Sequence, residues 1–278
     1  MNHHSRLCLL VLASLLGDWA LADTAAAGPG LDRRYVIGIA LGIERFDTNI
    51  KLTDRDTGNS IFLDGEGSFG LPETKSMPIF YGAARIHEKH GIGFYSFRLN
   101  REGTALAIDR DFGRLNVNGS VVFSDRTNVS YLTWRYRLFD DGRVSIHSLV
   151  GVYLLDFRYD ISARGIISLD DEPVEGGEFN DTIDLVAPMP LVGLDYWSRV
   201  TDRWYLGGKI AFIAGSYKDT DALVIDAALR ARYQVTERLA TVMGANFLSA
   251  DVEISKAETI RDISYGFEGL YLGLDFNF

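Results

Sequence analysis

The segment "GLYLGLDFNF" (residues 269–278) closes the chain with an apolar residue at every second position. Successive side chains of a β-strand point to opposite faces, so these apolar residues share one face. They are Leu270, Leu272, Leu274, Phe276 and Phe278. Chain ends are usually polar and frayed. The pattern therefore predicts a final strand that lies with one whole face against an apolar environment.

The same period of two recurs along the chain. It is clearest in "YVIGIALGI" (35–43), in "YLTWRYRLF" (131–139) and over residues 223–235. Helical spacing would scatter these apolar sets around a cylinder, so they indicate strands. Turn-forming clusters of Gly, Asp, Asn and Pro separate ten such segments. We place the strands at 34–54, 77–88, 91–110, 117–139, 143–164, 182–200, 204–217, 221–236, 239–255 and 262–278.

The connections between these strands alternate between tight turns and longer loops. "HEKHG", "FDDGR", "VTDRW" and "TERL" are tight, whereas 55–76, 165–181 and 256–261 are longer or less regular. This alternation is typical of an all-β, up-and-down antiparallel transmembrane β-barrel, here with about ten strands and with eight or twelve as alternatives. Pro188 and Pro190 should mark a bulge or the loop-proximal end of strand six, since proline cannot donate to a sheet.

A soluble sandwich or lipocalin-like barrel, with its apolar face turned inward, is the alternative fold. Strands of about 15–20 residues exceed the usual length in soluble sheets. The polar faces carry mid-strand charges, including Lys209, Arg230 and Asp275. Aromatic residues collect near the tight turns, as in the interfacial girdles of membrane barrels; they are Tyr35, Trp134, Tyr136, Trp204, Phe276 and Phe278. These features favour the membrane barrel.

The last strand resembles the C-terminal targeting strand of Gram-negative outer-membrane β-barrel proteins. In that family pattern a glycine is followed by apolar residues at alternate positions up to a terminal Phe, and Gly273, Phe276 and Phe278 match it. The resemblance implies a small barrel of the OmpA/OmpX-like kind, surrounded by outer-membrane lipids and lipopolysaccharide. It also implies periplasmic chaperones and the barrel-assembly machinery as partners during biogenesis, with Gly273, Phe276 and Phe278 as the assembly signal.

The N-terminal segment has the layout of a secretory signal peptide. Arg6 precedes an apolar run over residues 7–16, and Ala20 and Ala22 predict cleavage after Ala22. An uncleaved anchor helix is the alternative, but the run is about half of the ~20 residues that span a bilayer. We therefore expect a signal peptide at 1–22, a short periplasmic segment at 23–33 and the transmembrane barrel at 34–278.

Composition excludes several classes of site and partner. Cys8 is the single cysteine and lies in the signal peptide, so the processed chain has no thiol for a disulfide, a nucleophile or a metal site. Cys8 also lies at the front of the apolar run, away from the cleavage point where a lipid-acceptor cysteine would be. A net charge of −10 argues against a nucleic-acid partner.

Residues that could support catalysis or metal binding are few. The processed chain has only three histidines, His87, His90 and His147, all expected at the periplasmic ends of strands. Barrel enzymes of the outer membrane generally need a histidine near the outer leaflet. The pair Ser145 and His147 is more simply read as lumen filling, because triads are spatial and not sequential. We assign no catalytic, cofactor-binding or metal site.

Two acidic loops are the remaining candidates for a ligand. The first, "DRDTGNSIFLDGEG" (residues 54–67), gathers Asp54, Asp56, Asn59, Asp64 and Glu66, and the third, "SLDDEPVEGGEFND" (residues 168–181), is similarly acidic. Oxygen ligands at short spacing can hold calcium, but the spacing does not reproduce an EF-hand loop. Such acidic loop tips are more simply explained by contact with solvent, or with divalent ions that bridge lipopolysaccharide phosphates, than by a specific calcium site.

Charged residues of both signs fall on the inward faces of the predicted strands. They are Glu44, Arg135, Arg137, Lys209, Asp226, Arg230, Arg232 and Asp275. Opposite charges in a confined, partly dehydrated interior should pair. A barrel of about ten strands is little wider than one that its own side chains fill. We expect a non-enzymatic barrel with a structural or surface-interaction role; a narrow channel for ions or small solutes and a lipid-modifying enzyme are the alternatives.

Overall fold

The computed structural model describes residues 35–55, 58, 60–112, 115–169, 172–173, 178–217, 219–255 and 259–278. The expected signal peptide and the segment 23–33 lie outside these residues. Within the described part of the chain, no helix is both long and apolar enough to cross a membrane.

The described chain is almost entirely β-structure. Its strands are β1 (Tyr35–Asp54), β2 (Ser60–Asp64), β3 (Thr74–Arg85), β4 (His90–Phe112), β5 (Leu115–Asp140), β6 (Val144–Leu169), β7 (Glu172–Pro173), β8 (Glu178–Arg199), β9 (Trp204–Tyr217), β10 (Thr220–Gln234), β11 (Leu239–Ser255) and β12 (Thr259–Asn277). One short helix, α1 (Gly65–Phe69), lies between β2 and β3. Apart from the short strands β2 and β7, ten strands pair antiparallel with their chain neighbours, which confirms the predicted barrel.

The barrel closes between its first and last strands. β1 and β12 pair continuously from Val36 with Asn277 to Asp54 with Thr259. Phe278 extends this seam, because its amide donates to the Tyr35 carbonyl at 2.9 Å and its carbonyl accepts from the Tyr35 amide at 3.3 Å. Closure leaves no free sheet edge along this seam.

Tight turns join the strands at the end of the barrel that carries Tyr35 and Phe278. They span residues 86–89, 141–143, 200–203 and 235–238. In the second turn the Asp141 carboxylate accepts hydrogen bonds from the amides of Val144 at 2.7 Å and Arg143 at 2.9 Å. These bonds stabilise the ionised form and lower the pKa of Asp141. The predicted tight turns are confirmed, but the predicted alternation with longer loops is wrong at the other end, where β9 ends at Tyr217 and β10 begins at Thr220, and β11 ends at Ser255 and β12 begins at Thr259.

The outward faces change character halfway along the barrel. In the half that holds the tight turns, here called the terminal half, β1 exposes Ile39, Leu41 and Ile43. Further along the same face it exposes Arg45 and Asp47. The ten long strands share an apolar band of this kind, which reaches from Leu270 to Phe278 at the end of the chain. A stretch of about nine residues is what a tilted strand needs to cross a bilayer. The band therefore fits the membrane.

The inward faces change in the opposite sense. In the terminal half the interior holds charged and polar side chains, such as Asp195, Arg232 and Asp275. In the other half, here called the distal half, the interior is mostly apolar and includes Phe46 and Tyr265. The distal half thus has the polar exterior and apolar core of a soluble barrel. The sequence analysis assigned one lipid-facing and one lumen-facing side to whole strands, and this reversal corrects it.

The strands differ in how far they reach into the distal half. β9 and β10 reach the shortest distance, since β9 ends at Tyr217 and β10 begins at Thr220. β5 and β6 are the longest strands. As a result β8 pairs with β9 only over Leu191–Arg199, while it pairs with β6 along its whole length. Pro188 and Pro190 lie just beyond the last β9 pair, within a regular strand and not at a bulge. An open edge tolerates proline because no partner there needs its amide.

The seam makes Phe278 a test of assembly. Changing Phe278 to Ser should reduce the heat-modifiable folded form in the membrane fraction several-fold, because it removes apolar contact with lipid and the proposed assembly signal together. Phe278→Tyr should assemble normally. Phe62 is also exposed but lies in the distal half, so Phe62→Ser is the matched control. If Phe278→Ser and Phe62→Ser assemble to the same extent, Phe278 has no specific role in assembly.

Candidate functional site

The structure places all eight charged residues predicted for the lumen on inward-facing positions. Seven of them form ion pairs, four with one another and three with carboxylates outside the predicted set. Arg232 Nε lies 2.8 Å from Asp275 Oδ2, and Lys209 Nζ lies 2.7 Å from Asp226 Oδ2. Arg137 Nη1 lies 3.2 Å from Asp140 Oδ2. Paired charges therefore fill the interior of the terminal half.

Asp195 is the centre of this network, although the sequence analysis did not select it. It is 2% exposed, and its two carboxylate oxygens accept from Arg135 and Arg230 respectively. The Trp197 indole also donates to it, at 3.2 Å. Counting by twos from the inward Leu191 places Asp195 on the inward face, so this signal was present in the sequence. The same count could not predict that Asp195 pairs with Arg135 and Arg230.

Tyrosine hydroxyls extend the network across the lumen. Tyr81 donates to Asp275 at 2.6 Å, and Lys209 Nζ donates to the Tyr131 hydroxyl at 2.8 Å. The Lys209 ammonium also lies 4.7 Å from the centre of the Tyr131 ring. These contacts satisfy polar groups that cannot reach bulk water.

Glu44 differs from the other charged residues in the lumen. It is fully buried, and it forms no ion pair with any described residue. The backbone of β12 approaches it closely at Gly269, where an added Cβ would lie 2.1 Å from Glu44 Oε2. Gly269 therefore makes room for this carboxylate. The expected pairing of lumen charges does not extend to Glu44.

An apolar layer lies next to the charged network, where the distal half begins. Its aromatic rings come from strands on different sides of the barrel and meet at the axis. Phe267 packs on Phe46 at 5.7 Å and on Phe97 at 5.4 Å between ring centres, and Phe157 packs on Tyr265 at 5.4 Å. All five are at most 5% exposed. We call this group the aromatic layer, because its rings pack directly on one another inside the barrel.

One cation is buried in the distal core. Arg101 is 1% exposed and lies 4.6 Å from the centre of the Phe46 ring. Its guanidinium donates to Asp125 Oδ2 at 2.7 Å, to Thr48 Oγ1 at 2.6 Å and to Glu66 of α1. Arg101 therefore ties α1 to two strands of the wall.

The segment containing α1 closes a gap in the wall of the distal half. β3 begins only at Thr74 and pairs with β4 no further than Phe97, so beyond Phe97 no described strand pairs with β4 on its β3 side. Phe69 stacks on Phe123 at 4.8 Å and Leu71 is buried. An added Cβ at Gly103 would lie 2.3 Å from the Phe69 carbonyl oxygen. Only a glycine on β4 permits this close approach. The sequence analysis treated 55–76 as a loop and did not predict this element.

The three histidines lie where the sequence placed them, at the end with the tight turns. Ser145 Oγ lies 3.4 Å from His147 Nε2, and both residues are 1% exposed. His147 Nδ1 has no hydrogen-bond partner among the described residues, while the neighbouring Asp195 binds two arginines. A nucleophilic triad needs a third group that orients the base. The geometry here supplies none, and the buried serine offers a substrate no access.

The acidic loops show little that resembles a cation site. Asp64 accepts from the Gly67 amide and caps α1, and Glu66 binds Arg101 and the Thr48 amide. The third acidic loop lies largely outside the described residues. Among the residues that are described, no group of three or more potential ligands is arranged to hold a metal ion.

A groove of about 420 Å³ lies on the outer face of β9–β12 in the distal half. Exposed carboxylates line it, and Asp221, Glu253 and Asp262 lie opposite one another on adjacent strands. Lys51 Nζ, 3.5 Å from Asp262 Oδ2, flanks this row. The distal surface is therefore acidic on this side.

Comparison with known proteins supports the fold and does not define a family. No family model matches the chain, and no curated protein matches it. Among solved structures, the outer membrane protease OmpT from Escherichia coli aligns with a TM-score of 0.57 and 14% identity, over 92% of this chain and 99% of that one. The outer membrane protein OprG from Pseudomonas aeruginosa aligns at 0.41 and 9%, over 88% and 98%. The likeness to OmpT supports the fold of this chain, a closed antiparallel β-barrel.

Proposed function

We propose that the protein is a closed, non-enzymatic barrel of the bacterial outer membrane, and that its distal half serves as a rigid scaffold for interactions at the cell surface. The aromatic layer carries this proposal. Its rings pack on one another inside the barrel and are at most 5% exposed.

The aromatic layer argues against the narrow-channel alternative. An ion that crosses the barrel would have to leave the charged network and enter an apolar layer. Moving an unpaired charge from water into such a medium costs several kcal/mol or more, even after relaxation. The charged network alone would leave a polar path, so it is the apolar layer that blocks conduction.

The distal half suits a scaffold role. Its polar exterior and apolar core resemble those of a soluble domain, and Arg101 fixes α1 against the wall. A rigid support of this kind can present loops for recognition. The histidines lie at the opposite end of the barrel, which argues against a lipid-modifying active site on the distal side.

The proposal also includes export and assembly. Residues 1–22 would act as a cleaved signal peptide, and the terminal strand would direct insertion by the barrel-assembly machinery. Outer-membrane lipids would cover the apolar band, and lipopolysaccharide would contact the polar surface above it.

Planar-bilayer recordings test closure of the lumen. We expect the purified barrel to give no single-channel steps above background. We also expect none from the double variant Arg135→Ala and Arg230→Ala, because that change opens only the charged network and leaves the aromatic layer intact. The heat resistance of the folded variant should fall.

Regular conductance steps from the unmodified barrel would refute closure. Steps that appear only in the double variant would move the barrier from the aromatic layer to the charged network. Lipid A mass profiles with and without the protein test the enzyme alternative, and an added or lost acyl chain would overturn the non-enzymatic assignment.

A further inference from the structure

The distal part of β8 is an open sheet edge. β8 pairs with β6 from Glu178 through Ser198, with no shift of register. On its other side it pairs with β9 only from Leu191 to Arg199. No described strand pairs with residues 178–190 on that side. We call residues 178–187 the β8 edge.

The prolines show which backbone groups face this opening. Successive residues of a strand direct their amide and carbonyl groups to alternate sides. Pro188 and Pro190 have no amide to give to the β6 ladder, so their positions face the opening. The regular register extends this parity to Asn180, Asp184 and Val186. The amides and carbonyls of these three residues therefore face the opening.

The two prolines also limit how far an added strand can reach. Towards the membrane, Pro188 and Pro190 present carbonyls but no donors, and Gly215 of β9 lies close to Pro190, where an added Cβ would be 3.3 Å from Pro190 Cδ. Prolines on an edge are a known protection against pairing. Above them the edge has no such protection, and β9 and β10 end too early to cover it.

We infer that the β8 edge binds an extended, basic segment of another polypeptide as an added strand. The edge supplies main-chain donors and acceptors, which is the basis of recognition by strand addition. The surroundings supply charge. The β8 edge exposes Glu178 and Asp184 and contains no Lys or Arg; the cations Arg164, which pairs with Glu178, and Arg158, which lies opposite Asp184 and pairs with Asp160, belong to β6 on the other side of β8. Basic side chains on the added strand complement these carboxylates.

This inference rests on the proposed surface-interaction role, and it names the surface and the chemistry of its partner. The test uses the full barrel in detergent micelles and a fluorescent octapeptide in which lysine alternates with valine or threonine. Fluorescence anisotropy measures binding. A second peptide carries N-methyl groups at alternate amides, which removes its donors along one edge without changing its charge.

Asn180→Pro removes one edge amide and leaves the β6 ladder untouched, while Asn180→Ala is the matched control. Loss of a hydrogen bond together with the steric block should weaken peptide binding at least about tenfold in the proline variant. The alanine variant should bind as the unmodified barrel does. Heat-modifiable migration in gels verifies that both variants are folded.

Three results would overturn the inference. They are no binding by the unmodified barrel, equal binding of the N-methylated peptide, and equal binding by a folded Asn180→Pro variant. The last two would indicate attraction by charge alone. None of them bears on closure of the lumen, which the conductance recordings test separately.

Discussion

Replacing Arg101 with Met should destabilise the barrel by about 3–5 kcal/mol, which is the usual cost of breaking a buried ion pair from one side. The variant leaves Asp125, which is fully buried, and Glu66 of α1 without their shared cation. Methionine fills much of the space of the arginine side chain, so the loss should come from the stranded carboxylates and not from a cavity. Unfolding in guanidinium chloride, followed by tryptophan fluorescence, measures the change.

A local readout separates this effect from general weakening. Glu66 connects α1 to Arg101, and Phe69 and Leu71 pack inside the wall. In the Arg101→Met variant we expect chymotrypsin to cleave at Phe69 or Leu71 under conditions where the unmodified barrel resists. The double variant Arg101→Met with Asp125→Asn should recover part of the stability, because one stranded charge is removed. Full stability of Arg101→Met would refute the anchoring role.

Replacing Asp195 with Ala should have a comparable effect in the terminal half. This carboxylate accepts from both Arg135 and Arg230, so its loss leaves two cations facing each other in the lumen. We expect a loss of about 3–5 kcal/mol, again because a buried charge is left without its partner. The midpoint of denaturant unfolding in micelles checks this value.

Asp160 provides the matched control. It pairs with Arg158 on the outer surface of the distal half, where the Arg158 side chain is 46% exposed. Exposed ion pairs contribute little to stability, because water screens them. Asp160→Ala should therefore change the unfolding midpoint little. Equal effects of the two substitutions would show that the Asp195 network is not the main support of the lumen.

Much of the fold could be predicted from residue order because the signals are local. Alternation over residues 35–43 and 223–235 gave strands and faces, and the tight turns gave their order. Neighbouring antiparallel strands then follow from connectivity, and the pairing of β1 with β12 follows from the need to close the cylinder. The inward positions of the eight predicted charges follow from the same period.

The contacts across the lumen could not be predicted in this way. Arg135 and Asp195 are 60 residues apart, and their meeting depends on the register of the strands between them. The expectation that Glu44 forms an ion pair was wrong for the same reason. An inward position does not specify which side chain lies opposite. α1 was missed because five residues in a loop carry no periodic signal of useful length.

The sequence by itself determined that apolar and polar residues alternate along the strands, and that this alternation continues in the last strand up to Phe278. Alternation distinguishes the two faces of a strand, but it does not say whether the apolar face meets lipid or the interior of the barrel, and so it does not explain why the apolar residues change face along β1. Only the tertiary structure decided that Glu44 lies near the change, with Ile43 outside in the apolar band and Phe46 inside in the aromatic layer. The physical reason is that lipid covers only a band of about nine residues, and beyond it water reverses the preference of each face.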